Sequence, residues 1–300
     1  MNHLLARGLR ALPLRRMATT TRSASSIGDV LDGAVANLPH REALRVFSSG
    51  ERDADLRMSY VELNKYVDEL ASGFIDLQLK HGDTIALWLP NNLEHVLAQF
   101  AAAKVGLTVA SIDRSIATAD ELAYVLKDSK ATALMYENKI ERRDHASVAL
   151  KVYEEQDRKS PLHTLITTSI DPTDGVLQFQ HILVNALERH VVAGRRSQVD
   201  ATTAAVIPYT SNNGQQPTRG TLLTHGDILK MAQELASSLK LTSNDKVAMS
   251  EVPAGFLVAS VAAALKNAQV IVASVDRMEH ALKVEKANVI GNTDGHFTRA

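Results

Sequence analysis

Residues 59–137 read SYVELNKYVDELASGFIDLQLKHGDTIALWLPNNLEHVLAQFAAAKVGLTVASIDRSIATADELAYVLKDSKATALMYE and carry the clearest secondary-structure signals of the chain. Ser59 with Glu62, and Thr118 with Glu121, have the spacing of a capping box, in which two side chains cap the first backbone N–H groups of a helix. Apolar residues follow each pair at helical spacing. Both pairs therefore predict the start of an amphipathic helix.

Short apolar runs lie between these helix signals. Residues 84–89, 108–112 and 132–135 have the length and composition of buried strands. Asn92 is placed to cap a further helix between the first two runs. Helices and strands that alternate at this spacing predict a parallel, right-handed α/β unit.

The pattern continues toward the C-terminus. Thr224 and Asp227 predict another capped helix, and residues 256–265 predict an Ala-rich one. Predicted strands lie at residues 204–209, 246–250 and 270–273. The predicted fold class is therefore α/β, with mixed, largely parallel sheets flanked by helices.

Residues 194–200 (GRRSQVD) have the composition of a connector between two halves. The predicted organisation is a targeting segment at residues 1–26, a first α/β subdomain at residues 27–194 and a second at residues 195–300.

The first 26 residues contain five arginines and no acidic residue, and they are rich in Ser and Thr. This composition is typical of a mitochondrial transit peptide, although a disordered basic tail has the same composition. Removing the segment changes the formal net charge from −1 to −6. An acidic protein is not expected to have nucleic acid as its main partner.

The composition excludes several kinds of site. The chain has no cysteine, which excludes disulfides, cysteine-ligated metals and a cysteine nucleophile. Its eleven histidines include no His-x-x-x-His pair with a nearby carboxylate, so no metal site is predicted. No apolar run reaches the roughly 18 residues of a membrane span, although a peripheral position at the inner membrane remains compatible with the sequence.

A second motif, at residues 207–225, reads IPYTSNNGQQPTRGTLLTH. Together with the pattern GD-x-apolar-WLPN, AKVG and TADELAYVLKDS of residues 82–129, it resembles the N-terminal lobe of the acyl-CoA synthetase, or adenylate-forming, superfamily. The medium-chain mitochondrial branch is the most similar. The resemblance covers about residues 27–291 and implies that residues 207–225 occupy the place of the family's phosphate loop, YTSGTTG-x-PKG.

That loop departs from the family pattern at its centre. Phosphates require inward N–H groups, small residues, hydroxyl donors and a cation. The family's Gly-Thr-Thr-Gly is replaced by Asn-Asn-Gly-Gln, and Arg219 takes the place of the lysine after one inserted residue. Asn tolerates positive φ, so a similar loop shape is allowed. Asn-Gly also predicts a tight hairpin turn, and the loss of so many phosphate donors favours that interpretation. The loop is therefore predicted to be a degenerate relic that binds no nucleotide cofactor, made of Thr210, Ser211, Asn212, Asn213, Gly214, Gln215 and Arg219.

Two further residues have a structural interpretation. Trp88 lies in an apolar run and is predicted to be part of the core. His225 is predicted to belong to a helix start. The family's Pro-x-x-His signature has Phe256 in place of the histidine, in the sequence Val-Pro-Ala-Gly-Phe of residues 252–256.

The sequence ends at Ala300, before the positions where the family places its Tyr-Gly-x-Thr-Glu motif, ribose-binding Asp, hinge and catalytic Lys. Together with the altered loop, this predicts a chain that is not an enzyme and has no catalytic residues. The predicted role is an accessory subunit of a large mitochondrial assembly, such as a respiratory complex, ATP synthase or mitoribosome. The predicted location is the matrix or the matrix side of the inner membrane. Its partners would be other subunits or a second copy. The alternatives are a regulatory module that binds an acyl group or acyl-CoA, and the N-terminal half of a split acyl-CoA ligase.

Overall fold

The computed structural model describes residues 24–47, 55–140, 143–183, 189–212, 215–249, 253–291 and 296–299. Most of the predicted targeting segment, residues 1–23, lies outside these ranges. The helices are α1 (Ile27–Asn37), α2 (Tyr60–Asp76), α3 (Leu93–Lys104), α4 (Ala119–Ser129), α5 (His145–Glu155), α6 (Phe179–Ile182), α7 (Arg189–Arg196), α8 (His225–Ser238), α9 (Pro253–Lys266) and α10 (Val275–Glu285). None of the described helices is long and apolar enough to span a membrane.

The strands lie between these helices. They are β1 (Glu42–Phe47), β2 (Leu56–Ser59), β3 (Thr84–Trp88), β4 (Thr108–Ile112), β5 (Ala131–Tyr136), β6 (Lys139–Ile140), β7 (Arg143–Asp144), β8 (Thr164–Thr167), β9 (Leu177–Gln178), β10 (Ala204–Asn212), β11 (Gln215–Arg219), β12 (Leu223–Thr224), β13 (Lys246–Met249), β14 (Gln269–Ala273), β15 (Val289–Gly291) and β16 (Phe297–Arg299).

The predicted helix starts are confirmed by hydrogen bonds. Reciprocal capping boxes begin α2, α4 and α8, and the Asn92 side chain accepts a bond from the His95 N–H at the start of α3. Helix α1 also begins with a capping box, formed by Ser26 and Asp29, which the sequence analysis did not predict. Capping satisfies backbone donors that would otherwise lack partners, so it fixes where these helices begin.

Two large sheets form the framework. A six-stranded sheet has the order β16-β15-β13-β14-β1-β2, in which the edge strands β2 and β16 run antiparallel to their neighbours. An eight-stranded sheet has the order β11-β10-β4-β3-β5-β8-β9, with β12 also paired to β10. Strands β10, β4, β3, β5, β8 and β9 are parallel. The predicted α/β class with largely parallel sheets is confirmed.

Alternation of side chains along the strands divides the core into layers. In β3, Ile85 and Leu87 face a large cluster that α1, α2, α3, α8 and α9 form between the two sheets. Ala86 and Trp88 face a second cluster beneath α4 and α5. Helix α10 covers the outer face of the six-stranded sheet. The result is five layers, in the order helix, sheet, helix, sheet, helix.

Strands from the two sides of the predicted boundary between residues 194 and 195 pair with each other. Strand β1 pairs with β14, and β10 pairs with β4, so each large sheet contains strands from both sides of that boundary. The division into two sequential subdomains stays a prediction.

The connector predicted at residues 194–200 begins later in the structure. Residues 194–196 form the end of α7. Two arginines lie in its last turn, where the negative end of the helix dipole stabilises cations. Arg196 forms ion pairs with Asp29 and Asp32 of α1, which fixes the end of α7 against that helix. Ion pairs between residues far apart in sequence cannot be recognised from a local pattern. Residues 194–196 were therefore predicted to belong to a connector and not to a helix.

Gly73 marks a close approach between α2 and α6. A Cβ atom at this position would lie 1.9 Å from the backbone oxygen of Ile182, so we expect Gly73→Ala to destabilise the protein by about 1–3 kcal/mol through overpacking. The matched control is Gly33→Ala in α1, where a Cβ would meet nothing within 4 Å. That substitution is expected to stabilise the protein by up to about 1 kcal/mol. Urea unfolding of both variants measures the difference, and two changes of the same sign would contradict this account.

Candidate functional site

The polar hairpin, which we define as residues 209–212 and 215–219, extends from one edge of the eight-stranded sheet. Strand β10 pairs with β4 only as far as Tyr209, opposite Ile112. Beyond that residue, β10 pairs with β11, where Thr210 faces Thr218 and Asn212 faces Gln215. The hairpin therefore projects past the carboxyl ends of the parallel strands, which is where open α/β sheets bind ligands.

The tip of the polar hairpin contains hydrogen-bonding side chains. Thr210, Asn212 and Gln215 are exposed, and Ser211 is partly buried. The Asn212 amide donates to the Gln215 side-chain oxygen across 3.5 Å. The pairing is irregular between Thr210 and Asn212, as at a β-bulge. The structure thus brings four of the predicted loop residues together at one polar tip.

Asn213 and Gly214, on which the predicted tight turn falls, lie outside the described residues. The strands on either side of them are paired antiparallel, which agrees with a hairpin at this place. The prediction that the loop no longer binds a nucleotide stays a prediction.

The base of the polar hairpin is held by a carboxylate. The buried Tyr209 hydroxyl donates to Oδ2 of Asp128 across 2.6 Å, and Nε of Arg219 lies 3.4 Å from the same oxygen. Burial raises the pKa of Tyr209, and the contact with Asp128 raises it further, so the hydroxyl remains a donor. Tyr209 and Arg219 are cross-strand partners, which puts their side chains on one face of the hairpin.

Asp128 was not predicted as a site residue. It lies in the last turn of α4, where the helix dipole disfavours a carboxylate. A carboxylate at this unfavourable place in a helix is the one local feature of the sequence that could have indicated Asp128. The contact with the polar hairpin depends on how α4 packs against β11, which the sequence pattern does not specify.

Gly220 closes the polar hairpin against β10. Its N–H donates to the Pro208 oxygen across 2.7 Å, and a Cβ atom at Gly220 would lie 2.6 Å from Cγ of Pro208. Any larger residue at this position would push the two strands apart, which explains why a glycine is found here.

Two other predicted residues have structural roles. Trp88 is fully buried, and its indole N–H donates to the Ile116 oxygen across 3.2 Å, so the predicted core position is confirmed. His225 begins α8, as predicted, and its Nδ1 accepts a hydrogen bond from the Ile27 N–H across 3.1 Å. Each of these contacts joins separate elements of the fold.

Phe256 is buried and stacks on His95, with 5.1 Å between the ring centroids. Burial lowers the pKa of His95 to about 4, so its ring is neutral near pH 7. Among the described residues, no group of three or more His, Asp and Glu side chains is placed to hold a metal ion. The polar hairpin is therefore the candidate site.

The family model described as AMP-binding enzyme matches residues 31–291. Medium-chain acyl-CoA ligase ACSF2, mitochondrial, of Pongo abelii is 28% identical over 231 residues, which cover 73% of this chain and 36% of that protein. Putative acyl-CoA synthetase YngI of Bacillus subtilis is 26% identical over 235 residues, which cover 74% of this chain and 42% of that protein. The chain thus spans less than half the length of these curated relatives.

A solved structure supports the fold assignment. The inhibitor-bound N-terminal domain of FACL13 from Mycobacterium tuberculosis matches with a TM-score of 0.68 at 19% identity, covering 90% of this chain and 63% of that one. The predicted likeness to the N-terminal lobe of adenylate-forming enzymes is confirmed. The prediction that the chain is not an enzyme is wrong, because the matching family model is one of enzymes and the curated relatives are named as a ligase and a synthetase.

Proposed function

The chain belongs to the AMP-binding enzyme family, and we propose that it supplies the N-terminal portion of an acyl-CoA ligase. One observation carries the proposal: a polar hairpin, whose sequence resembles the family's phosphate loop, projects from the carboxyl edge of a parallel sheet. This edge is where α/β proteins present loops to a ligand.

The proposed reaction has two steps. An oxygen of the acyl carboxylate attacks the α-phosphorus of ATP, the bond to the β-phosphate breaks, and pyrophosphate leaves. The thiol of CoA then attacks the acyl carbonyl, loses its proton, and releases AMP. A medium-chain fatty acid is the proposed substrate, because the curated relatives include medium-chain acyl-CoA ligases.

In this proposal the polar hairpin contacts the phosphates of ATP. Thr210 and Ser211 supply hydroxyl donors, Asn212 and Gln215 supply amide donors, and Arg219 supplies the cation. The groups that the family places further along the chain come from the rest of a ligase, in the same polypeptide or a separate one. Two threonine hydroxyls of the family loop have no counterpart here, so the affinity for ATP is expected to be low.

We propose a mitochondrial location on two grounds. The curated relatives include proteins named as mitochondrial. The Arg-rich, acid-free composition of residues 1–26 is typical of a transit peptide. Within the mitochondrion, the proposed place is the matrix or the matrix side of the inner membrane.

A second candidate is a role as a subunit of a large mitochondrial assembly, which is compatible with the first. It is favoured by the absence of both threonine hydroxyls from the polar hairpin, because a role in an assembly does not require tight ATP binding. Native electrophoresis of gently solubilised mitochondria tests the second candidate. Migration with a respiratory complex, ATP synthase or mitoribosome supports the second, and migration near the size of a ligase counts against it.

The loop sequence provides a direct test of the first candidate. Replacing residues 212–215 with Gly-Thr-Thr-Gly is expected to tighten MgATP binding at least about tenfold, because each hydroxyl bonded to a charged phosphate contributes about 1.5–3 kcal/mol. A control variant that carries Asn212→Gly and Gln215→Gly restores both flanking glycines without the hydroxyls. Calorimetric titration measures the dissociation constants. Absence of MgATP binding by the wild-type chain and by both variants would refute the proposed role of the polar hairpin.

A further inference from the structure

Arg219 is held to Asp128 by one nitrogen only. Its Nε lies 3.4 Å from Oδ2 of Asp128, and its side chain is 46% exposed. Neither Nη nitrogen of Arg219 has a hydrogen-bonding partner among the residues that the structure describes. A guanidinium presents five N–H donors in a planar fork, so anchoring through Nε leaves the outer edge of the fork available.

Asp128 is itself fixed in place. The Tyr209 hydroxyl donates to Oδ2 across 2.6 Å, and Tyr209 is fully buried in the layer beneath α4. Asp128 belongs to the last turn of α4, which packs against β11. The two contacts thus connect a buried tyrosine, a helix and the second strand of the polar hairpin through one carboxylate oxygen.

The strand register explains why this contact forms. Thr218 faces Thr210, whereas Arg219 faces Tyr209. Adjacent residues of a strand point to opposite sides, so a cation at position 218 would lie on the other face of the hairpin. At position 219 the cation shares its face with Tyr209 and comes within reach of Asp128.

We infer that Asp128 is a positioning residue that orients Arg219, through its Nε, to bind the phosphates of a nucleoside triphosphate at the polar hairpin. This inference deepens the proposed function and rests on it. The reacting phosphates contact Arg219, and Asp128 acts through that side chain.

Asp128 has two opposing effects on phosphate binding. Its charge repels a phosphate, but the pair lies at the surface, where water and salt screen this repulsion. Its contact also restricts a side chain with many rotamers before the ligand arrives. An arginine that is already ordered avoids an entropic loss that corresponds to about a factor of ten to thirty in affinity. The ordering effect is the larger, so removing the carboxylate charge is expected to weaken binding.

The test is calorimetric titration of the full chain with MgATP and with inorganic tripolyphosphate. Asp128→Asn is expected to raise both dissociation constants about tenfold, and Asp128→Glu is expected to restore binding to within about threefold. Asp120→Asn is the matched control, because Asp120 is exposed in the first turn of the same helix. It is expected to leave both constants unchanged.

A double-mutant cycle distinguishes positioning from a general structural effect. In an Arg219→Ala background, Asp128→Asn is expected to change the dissociation constants less than twofold, because there is no guanidinium left to orient. Equal losses in both backgrounds would overturn the inference, as would tighter binding by Asp128→Asn alone. Circular dichroism of each variant establishes that it is folded.

The outcomes separate this inference from the proposed function. If the wild-type chain binds neither ligand, both are overturned. If it binds both ligands and Asp128→Asn binds them equally well, only the positioning role is overturned. If Asp128→Asn weakens binding but no acyl adenylate forms in any preparation, the positioning role is supported and the ligase reaction is refuted.

Discussion

Replacing Lys104 with alanine is expected to lower the free energy of unfolding by about 3 kcal/mol. The Lys104 side chain is only 2% exposed, and its ammonium group contacts Asp32 of α1 at 3.1 Å together with Asn64 at 2.7 Å and Asp68 at 2.5 Å, both of α2. One cation thus joins three helices within the central layer. Without it, two carboxylates lose a common partner and the buried stem leaves a cavity.

The expected loss lies at the lower end for a buried ion pair because both carboxylates keep some contact with water. Asp32 is 26% exposed and Asp68 is 32% exposed, and Asp32 also retains Arg196. Lys104→Met keeps most of the stem, so it should lose less than the alanine variant. The difference between the two variants reports the packing contribution.

Lys283→Ala is the control for a surface pair. Lys283 and Glu279 are 74% and 81% exposed and lie four residues apart on α10, so the expected loss is under about 0.5 kcal/mol. Urea unfolding followed by circular dichroism measures all three variants. A Lys104→Ala loss no larger than that of Lys283→Ala would show that the buried cation is unimportant for stability.

Acid is expected to destabilise the protein strongly between about pH 6.5 and pH 4, through two buried histidines. Burial lowers the pKa of both His95 and His225 from 6.5 to about 4. The Nδ1 of His95 donates to the Pro90 oxygen, and the Nδ1 of His225 accepts from the Ile27 N–H. Both rings are therefore neutral in the folded protein at pH 7.

The sign follows from proton binding. Because the folded pKa is lower than the unfolded one, the unfolded chain binds more protons as the pH falls through this range. The contribution of the two neutral histidines to the free energy of unfolding is fully present above pH 6.5 and is lost progressively as the pH falls to about 4. Each histidine is expected to contribute on the order of 3 kcal/mol to the loss. Burial also opposes the ionisation of Asp29, but contacts led by Arg196 lower its pKa to about 2, so Asp29 affects stability at lower pH.

Asparagine variants isolate the two histidines. In His95→Asn the amide can still donate to the Pro90 oxygen, and in His225→Asn the side-chain oxygen can still accept from the Ile27 N–H, while neither side chain titrates. Each substitution should reduce the slope of unfolding free energy against pH between 6.5 and 4, and the double variant should reduce it most. Equal unfolding free energies of the wild-type protein at pH 7 and pH 4.5 would contradict the assignment.

Much of the local structure could be predicted from the sequence. Ser59, Thr118 and Thr224 begin helices through hydrogen bonds to residues three positions away, so the capping pattern alone located them. Strands β3 and β4 are short apolar runs buried on both faces, and such runs are visible without any tertiary information.

Capping residues and short apolar runs do not predict which strands pair when they are far apart in sequence. Strand β1 pairs with β14 across more than two hundred residues, and nothing in either strand specifies the other. The same limit explains why the start of α1 was missed: Ser26 was interpreted as the end of a leader, although its hydroxyl caps the helix. Helix α1 is held by contacts to Lys104, Arg196 and His225, all distant in sequence.

The candidate site was predicted in part. Residues 210–215 were identified from their likeness to a phosphate loop, and those that the structure describes lie together at a hairpin tip. Arg219 was identified as a substitute cation, but its contact with Asp128 depends on the packing of α4 against β11. The expectation that the chain is not an enzyme gave too much weight to altered loop residues, whereas the family match extends over residues 31–291.

The measurement that tests the proposed function most directly is exchange of labelled pyrophosphate into ATP, with a medium-chain fatty acid such as octanoate. The chain would be assayed with the C-terminal portion of a related acyl-CoA ligase supplied as a separate polypeptide. The variant with Gly-Thr-Thr-Gly at residues 212–215 would be assayed in parallel. We expect exchange that depends on octanoate and is faster in the variant. No exchange by either chain, with an intact ligase active in the same assay, would contradict the proposal.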